Sequence, residues 1–209
     1  MTTRTDDRLS DRHVAVTGGA RGVGRGIAVR CARAGADVTV FDTKPDVAEE
    51  TASLVRETGS QAAVYEVDVT DESAVEAAVR SATDERGPIH GLVNNAGIQR
   101  AVPLLETSEV VWDGHFEVNA KGTFLVSKVV AASMVDAGTA DTVVNISSVG
   151  AERPFRRQGA YGASKAVVLA FTTVLAKDLS DHDITVNAVK PGTVETPMVE
   201  QWLEFHPLR

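Results

Sequence analysis

A chain of 209 residues with 43% hydrophobic and 24% charged residues can bury a sizeable core and is too apolar for wholesale disorder. Its 21 Lys+Arg against 29 Asp+Glu leave a formal net charge of −8, which argues against nucleic acid or an anionic membrane as the main partner. The single cysteine, Cys31, excludes an internal disulfide framework and a multi-cysteine metal site, and the simplest home for such a chain is the reducing cytoplasm. Residues 1–10 form a polar leader without the apolar run of a signal peptide, and no stretch approaches 18 consecutive apolar residues.

Short β-branched runs alternate with helical patterns along the chain. Residues 13–17 (HVAVT) read as a buried parallel strand, and 22–35 as a helix ending at Gly35. A second strand follows at 37–41, then a helix over 45–58 with Pro45 in its first turn. The third strand, 62–67, leads to a helix over 71–85 opened by acidic residues that suit its dipole. Strand four is expected at 90–93 and a long helical stretch at 108–137, with an interruption near Asn119 to Gly122. Strand five at 142–146, a helix over 159–179 and strand six at 184–189 complete the alternation. The pattern predicts one α/β domain over residues 1–209, with a Rossmann-type doubly wound parallel sheet in three layers.

Between the first strand and helix lies Thr17-Gly18-Gly19-Ala20-Arg21-Gly22-Val23-Gly24, a G-x-x-x-G-x-G spacing. Gly18, Gly22 and Gly24 let a strand turn tightly into a helix and let a pyrophosphate approach the helix N-terminus without meeting a Cβ. A tight turn with no ligand is the plain alternative for an isolated glycine cluster. Asp42 ends strand two, where a carboxylate can accept both hydroxyls of an adenosine ribose and repel a 2′-phosphate; a solvated turn or helix cap is its bland reading. Arg21 pulls the other way, because a guanidinium there can meet a 2′-phosphate. Asp42 weighs more, and the expected cofactor is NAD rather than NADP.

The sequence resembles the classical branch of the short-chain dehydrogenase/reductase family from Thr17 to about Met198. The resemblance rests on TGGARGVG, Asp68-Val69 after strand three, Asn94-Asn95-Ala96-Gly97 after strand four, and Asn119 in the long helix. Ser148 after strand five, Tyr161-Gly-Ala-Ser-Lys165 and Pro191-Gly192-Thr193-Val194-Glu195-Thr196 complete the series. It implies that Asp68 and Val69 cradle adenine and that Asn94 with its neighbours Asn95, Ala96 and Gly97 shapes the cofactor floor. Val194, with Thr196 nearby and Pro191 and Gly192 before it, would meet the nicotinamide carboxamide. Thr17 and Val23 belong to the same cofactor set. Asn119, Ser148, Tyr161 and Lys165 match the catalytic tetrad. Ser148 is preferred to Ser147 because its 13-residue distance to Tyr161 and the following Val149-Gly150 match the family pattern.

Hydride transfer at a carbinol carbon needs a matched proton transfer at its oxygen, and a phenol with an ordinary pKa near 10 is a poor base at neutral pH. Tyr161 and Lys165 stand four apart in a helical segment and share a face, so the ammonium can favour the phenolate and also grip the nicotinamide ribose. Ser148 can hold the reacting oxygen at Tyr161, and Asn119 can hold a water that links Lys165 to bulk solvent. A lone Tyr-x-x-x-Lys pair is usually just helix surface; the upstream serine and glycine loop give it meaning. Cys31 reads as a core residue, and the five histidines show no ligand spacing, so no metal is expected.

Residues 98–100 and 152–158 should line the substrate pocket, and their arginines suggest a polyol, sugar or hydroxy acid; solvated or subunit-contact arginines are the alternative. A 3-oxoacyl thioester is the rival substrate within the family. The resemblance also implies a mobile lid, a further helix and a seventh strand, for which residues 199–209 are too few. The sequence is therefore either a fragment or lacks them, and the second case admits a different class: a catalytically weak dinucleotide sensor or interaction subunit. The family's helical dimer face implies a homodimer or homotetramer with a small alcohol or ketone as the other partner.

Overall fold

The computed structural model describes residues 7–196; residues 1–6 of the polar leader and the segment 197–209 lie outside the described residues. Six parallel strands form one sheet in the order β3-β2-β1-β4-β5-β6. They are β1 His13–Thr17, β2 Asp37–Asp42, β3 Ala62–Glu66, β4 Gly91–Asn94, β5 Thr142–Ile146 and β6 Thr185–Val189. The helices are α1 Gly22–Arg33, α2 Pro45–Arg56, α3 Glu72–Arg86, α4 Glu109–His115, α5 Thr123–Ala137 and α6 Gly159–Asp178. The expected doubly wound, three-layered architecture is what the chain adopts.

Strand alternation splits the core into two. Val14 and Val16 of β1, Val38 and Val40 of β2 and Val93 of β4 face α1 and α2, whose Ala28, Ala32, Ala48 and Ala52 let the helices lie close. Ala15, Phe41, Leu92 and Val143 face the other way, against Val75 and Val79 of α3, Val126, Val130 and Met134 of α5, and Leu179 after α6. Small residues on one side and larger ones on the other fill two slabs of similar purpose and different thickness.

Local signals set the ends. The Asp71 carboxylate accepts from the Ser73 and Ala74 amides and starts α3. Gly138 adopts a left-handed conformation and closes α5. The long stretch expected at 108–137 is two α-helices joined by a π-helical turn, Phe116–Gly122, which contains the Asn119 at which an interruption was expected. Short 3-10 turns at Leu104–Glu106, Val149–Ala151 and Ser180–His182 have no counterpart in the sequence reading. Strand four runs one residue later than expected, over Gly91–Asn94. By length and composition α6 could cross a membrane, which a search for unbroken apolar runs misses. Here it packs along β5 and β6, with Ser164, Lys165 and Val168 buried.

Candidate active site

The strand order reverses between the parallel neighbours β1 and β4, and beyond their C-terminal ends lies the position where open α/β sheets take ligands. A cavity of about 490 Å³ opens there, within the usual range of roughly 300–1,000 Å³ for small-molecule sites.

Its floor is built by close approach. Gly18 has φ +64°, and a Cβ there would stand 2.8 Å from the Ala96 Cα. A Cβ on Gly24 would stand 2.3 Å from the Gly18 carbonyl oxygen and 2.5 Å from Asn95 Nδ2. Asn95 Nδ2 donates to the carbonyls of Thr17 and Gly18 at 3.0 and 2.9 Å. In return the Thr17 hydroxyl oxygen accepts from the amides of Asn95 and Ala96, both at 3.0 Å. The turn after β1 and the turn after β4 are thus stitched into one surface. Arg25 fixes the outer side: Nε and Nη2 both donate to the Ala20 carbonyl, Nε also reaches Thr51, and Nη2 pairs with Glu50 at 2.8 Å. Nothing in the glycine spacing announces Arg25.

Gly18, Arg21, Gly22 and Val23 line the cavity. So do Asp42, Asp68 and Val69 at the next two strand ends, then Asn95, Ala96 and Gly97. Pro191, Gly192, Val194 and Thr196 close it from beyond β6. Thr17 and Gly24, expected to touch a cofactor, do not line it; one is the stitch beneath the loop and the other the space that lets the loop close. Asp42 Oδ2 accepts from the Ala20 amide at 2.9 Å and Oδ1 from the Lys44 amide at 3.1 Å. Each oxygen keeps a further lone pair for a ligand. Asp68 Oδ1 accepts from both the amide and hydroxyl of Thr70.

Ser148, Tyr161 and Lys165 line the other end of the cavity. A Cβ on Gly162 would stand 2.8 Å from the Gly150 carbonyl, so glycine lets the start of α6 press against the turn that carries Ser148. Ser148 Oγ accepts from the Gly150 amide at 3.0 Å, which leaves its O–H to donate, and the Tyr161 phenol oxygen is its partner. Ser147 Oγ instead donates to the Lys165 carbonyl at 2.8 Å and is 2% exposed. Both serines border the cavity, and the Ser147 hydroxyl is taken up by α6.

Burial pushes the Tyr161 phenol up, and the hydrogen bond with Ser148 works in the opposite direction. Lys165 is buried, and desolvation brings its ammonium down to about 8. Its Nζ donates to the Ile146 carbonyl at 2.8 Å. Asn119 is fully buried and does not line the cavity. Its Oδ1 accepts from the Ile98 amide at 2.8 Å, and Nδ2 donates to the Ile98 carbonyl and to Ser164 Oγ, each at 3.0 Å. Its side-chain amide is therefore spent on holding the segment after β4. A Cβ on Gly97 would stand 3.0 Å from Asn119 Oδ1 and 3.4 Å from Lys165 Nζ, so both groups converge on that glycine.

Ser127, Asn145 and Thr172, which the motifs did not single out, support this end together with Asn94, which does not line the cavity and lies buried beneath its floor. Asn94 Nδ2 donates to Ser127 and to Asn145, both at 2.8 Å, and Asn145 donates to Thr172 at 2.9 Å. The chain of amides and hydroxyls ties α5, β4, β5 and α6 together beneath the site. The arginines expected in the pocket are elsewhere: Arg100, Arg153, Arg156 and Arg157 do not line the cavity, whose walls near Tyr161 are Ile98, Gln99, Val149, Phe155, Gln158 and Val194. Among the described residues no group of three or more His, Cys, Asp or Glu side chains could hold a metal ion.

A family profile described as short chain dehydrogenase matches residues 12–206. The chain belongs to the short-chain dehydrogenase family. This short-chain dehydrogenase is 36% identical over 197 residues to a cyclopentanol dehydrogenase of Comamonas sp., covering 94% of this chain and 78% of the relative. It is 34% identical over 188 residues to a sorbitol dehydrogenase of Cereibacter sphaeroides, covering 90% and 72%. Carveol dehydrogenase from Mycobacterium avium, solved in complex with NAD, superposes with a TM-score of 0.92 at 30% identity over 97% of this chain and 79% of that one. Membership makes the protein an oxidoreductase with a nicotinamide dinucleotide site. The cleft fits such a group: its glycine floor, Asp42 and the Ser148–Tyr161–Lys165 end offer loop, ribose acceptor and proton chemistry in the right order.

Proposed function

We propose that this short-chain dehydrogenase is NAD-dependent and interconverts an uncharged secondary alcohol and its ketone, with Tyr161 as general acid/base. The observation that carries the reading is the meeting of Ser148, Tyr161 and Lys165 at one end of a cleft floored by the glycine loop. NAD, when bound, supplies the hydride acceptor. The Ser148 O–H, set by the Gly150 amide, donates to the reacting oxygen and holds it at the phenol. Tyr161 takes the alcohol proton in oxidation and returns it in reduction. Lys165 stands one helical turn on, with an ammonium that burial has made easy to deprotonate. Asn119 holds the Ile98 backbone and, through it, the wall beside Gly97; the water relay assigned to it would run past its Oδ1.

NAD is preferred to NADP because the Asp42 carboxylate faces the cavity at the end of β2, while Arg21 is exposed on its rim. A hydroxy acid loses support, since Arg21 of the glycine loop lines the cavity but none of Arg100, Arg153, Arg156 and Arg157 does, which leaves no arginine from those segments to pair its carboxylate. Polyols and cyclic alcohols both remain within the class, and the relatives named for sorbitol, cyclopentanol and carveol fall in it. We also place a subunit contact on the outer face of α5 and α6, as the family resemblance implies. Phe124 is 44% and Val174 54% exposed there, with Phe124 and Phe171 edge to face at 6.0 Å.

The deciding experiment follows NADH absorbance across a panel of polyols, cyclic alcohols and hydroxy acids. Wild-type protein should oxidise an uncharged member, and Tyr161→Phe should lower kcat by about 10²–10⁴ while still binding NAD. NAD binding without turnover, unchanged by Tyr161→Phe, would establish a dinucleotide sensor instead.

A further inference from the structure

His115, at the end of α4, is fully buried, yet both its ring nitrogens are engaged. Nδ1 meets the Val111 carbonyl on its own helix at 2.7 Å. Nε2 meets the backbone amide of Arg100 at 3.0 Å. A carbonyl can only accept and an amide N–H can only donate, so the imidazole is neutral, with its proton on Nδ1. Burial, with Arg100 nearby, lowers its pKa and keeps it in that form.

The Arg100 amide is one of three in a row. Ile98 N donates to Asn119 Oδ1, Arg100 N to His115 Nε2, and Val102 N to the Arg157 carbonyl at 2.9 Å. Alternate amides pinned on one side describe an extended run of chain. His115, at the end of α4, and Asn119, in the π turn that follows, stand four residues apart and take the amides of Arg100 and Ile98 as a pair of brackets on the segment. Ile98 and Gln99, between and beside the brackets, wall the cavity at the Tyr161 end. The imidazole also meets the Tyr161 ring edge to face, with centroids 6.4 Å apart and planes at 72°.

We propose that His115 is a positioning residue for the alcohol: it fixes the wall segment 98–102 against the substrate and buttresses the ring of Tyr161. The assignment rests on the reading of this cleft as an alcohol site. It makes a distinction that mere core packing would not. The segment borders the substrate end, so loosening it should move the KM for alcohol and leave the KM for NAD in place.

The test compares H115Q with H115N in the full chain. Glutamine carries its amide to about the reach of Nε2 and can still accept from Arg100; asparagine ends near Nδ1 and cannot. The readouts are hydrogen exchange at the Arg100 amide and both KM values. H115N should speed exchange at Arg100 at least tenfold and raise the alcohol KM several-fold with the NAD KM unchanged, and H115Q should restore both. Equal protection of Arg100 in all three proteins would overturn the proposal, as would an H115N protein whose two KM values shift together. Should the wild-type protein turn over no alcohol, the reading of the cleft falls, while the exchange pattern still decides whether His115 pins the segment.

Discussion

Asp42 shows how one side chain can serve a fold and a ligand at once. Its two oxygens each take one backbone amide, from Ala20 in the glycine loop and from Lys44 beyond the strand. Those bonds fix the carboxylate at the edge of the cavity, and on the proposed reading its charge would oppose a 2′-phosphate there. Asp42→Ser should raise the KM for NAD about tenfold, the loss of roughly one charge-assisted hydrogen bond. It should also narrow the NAD/NADP preference, because Arg21 and Lys44 then face the site without an opposing charge. Initial rates with each dinucleotide measure both effects. The same residue was readable from sequence as a carboxylate at a strand end, but its anchoring to Ala20 was not, since that bond spans 22 positions.

At the scale of elements, contacts between backbones decide most of what happens. Gly24→Ala would drive a Cβ to 2.3 Å from the Gly18 carbonyl oxygen, a rigid neighbour rather than a flexible side chain. Overpacking of this kind costs about 1–3 kcal/mol. The glycine loop should also shift, so thermal melting should fall and NAD binding weaken in the same protein. Beneath β1, His13 is 3% exposed, with Nδ1 against the Gly87 carbonyl and Nε2 against the Thr39 hydroxyl. Burial lowers its pKa below 6.5, so the unfolded chain binds the proton first. The stability contributed by neutral His13 is present above pH 6.5 and is lost as pH falls through the lowered value. The free energy of unfolding should fall below pH 6.5 with a slope of at most about 1.4 kcal/mol per pH unit from this one group, the melting temperature should fall with it, and His13→Gln should flatten both.

Elements were legible where physics is local. The β-branched runs gave all six strands, and Pro45, Gly59 and Gly138 punctuate helices because their backbone demands are carried in single residues. The 3-10 turn at Val149–Ala151 escaped because three residues hold too little periodicity to announce themselves. His115 escaped for another reason: its partner lies 15 positions upstream, and only the fold makes them neighbours. The arginines of 153–157 misled because charge composition names a residue's chemistry and not its direction.

For the whole molecule, one face stands out among the described residues. Phe124, Val167 and Val174 are exposed along α5 and α6, with Phe124 edge to face against Phe171. Water-exposed rings and valines in such a run are what subunit association removes from solvent. Light scattering should give a dimer or tetramer of the 22.1 kDa chain. Phe124→Asp should shift that population toward monomer, because a buried carboxylate without a partner opposes assembly. A wild-type monomer at micromolar concentration would refute the contact. The buried network from Ser127 through Asn94 and Asn145 to Thr172 joins the same two helices to the sheet.

The π turn at Phe116–Gly122 has an implication for how such a chain can vary. Each turn of it spends one residue more than an α-helix does, so it behaves as an insertion sealed inside continuous helical structure. Deleting one of its residues would let the α-helix re-form while α4 and α5 keep their faces, because the wider turn is what takes up the extra residue. What the deletion would move is the turn itself, and Asn119 would leave the place from which it holds the Ile98 backbone and Ser164. The helices on either side tolerate the change in length; the side chain between them does not.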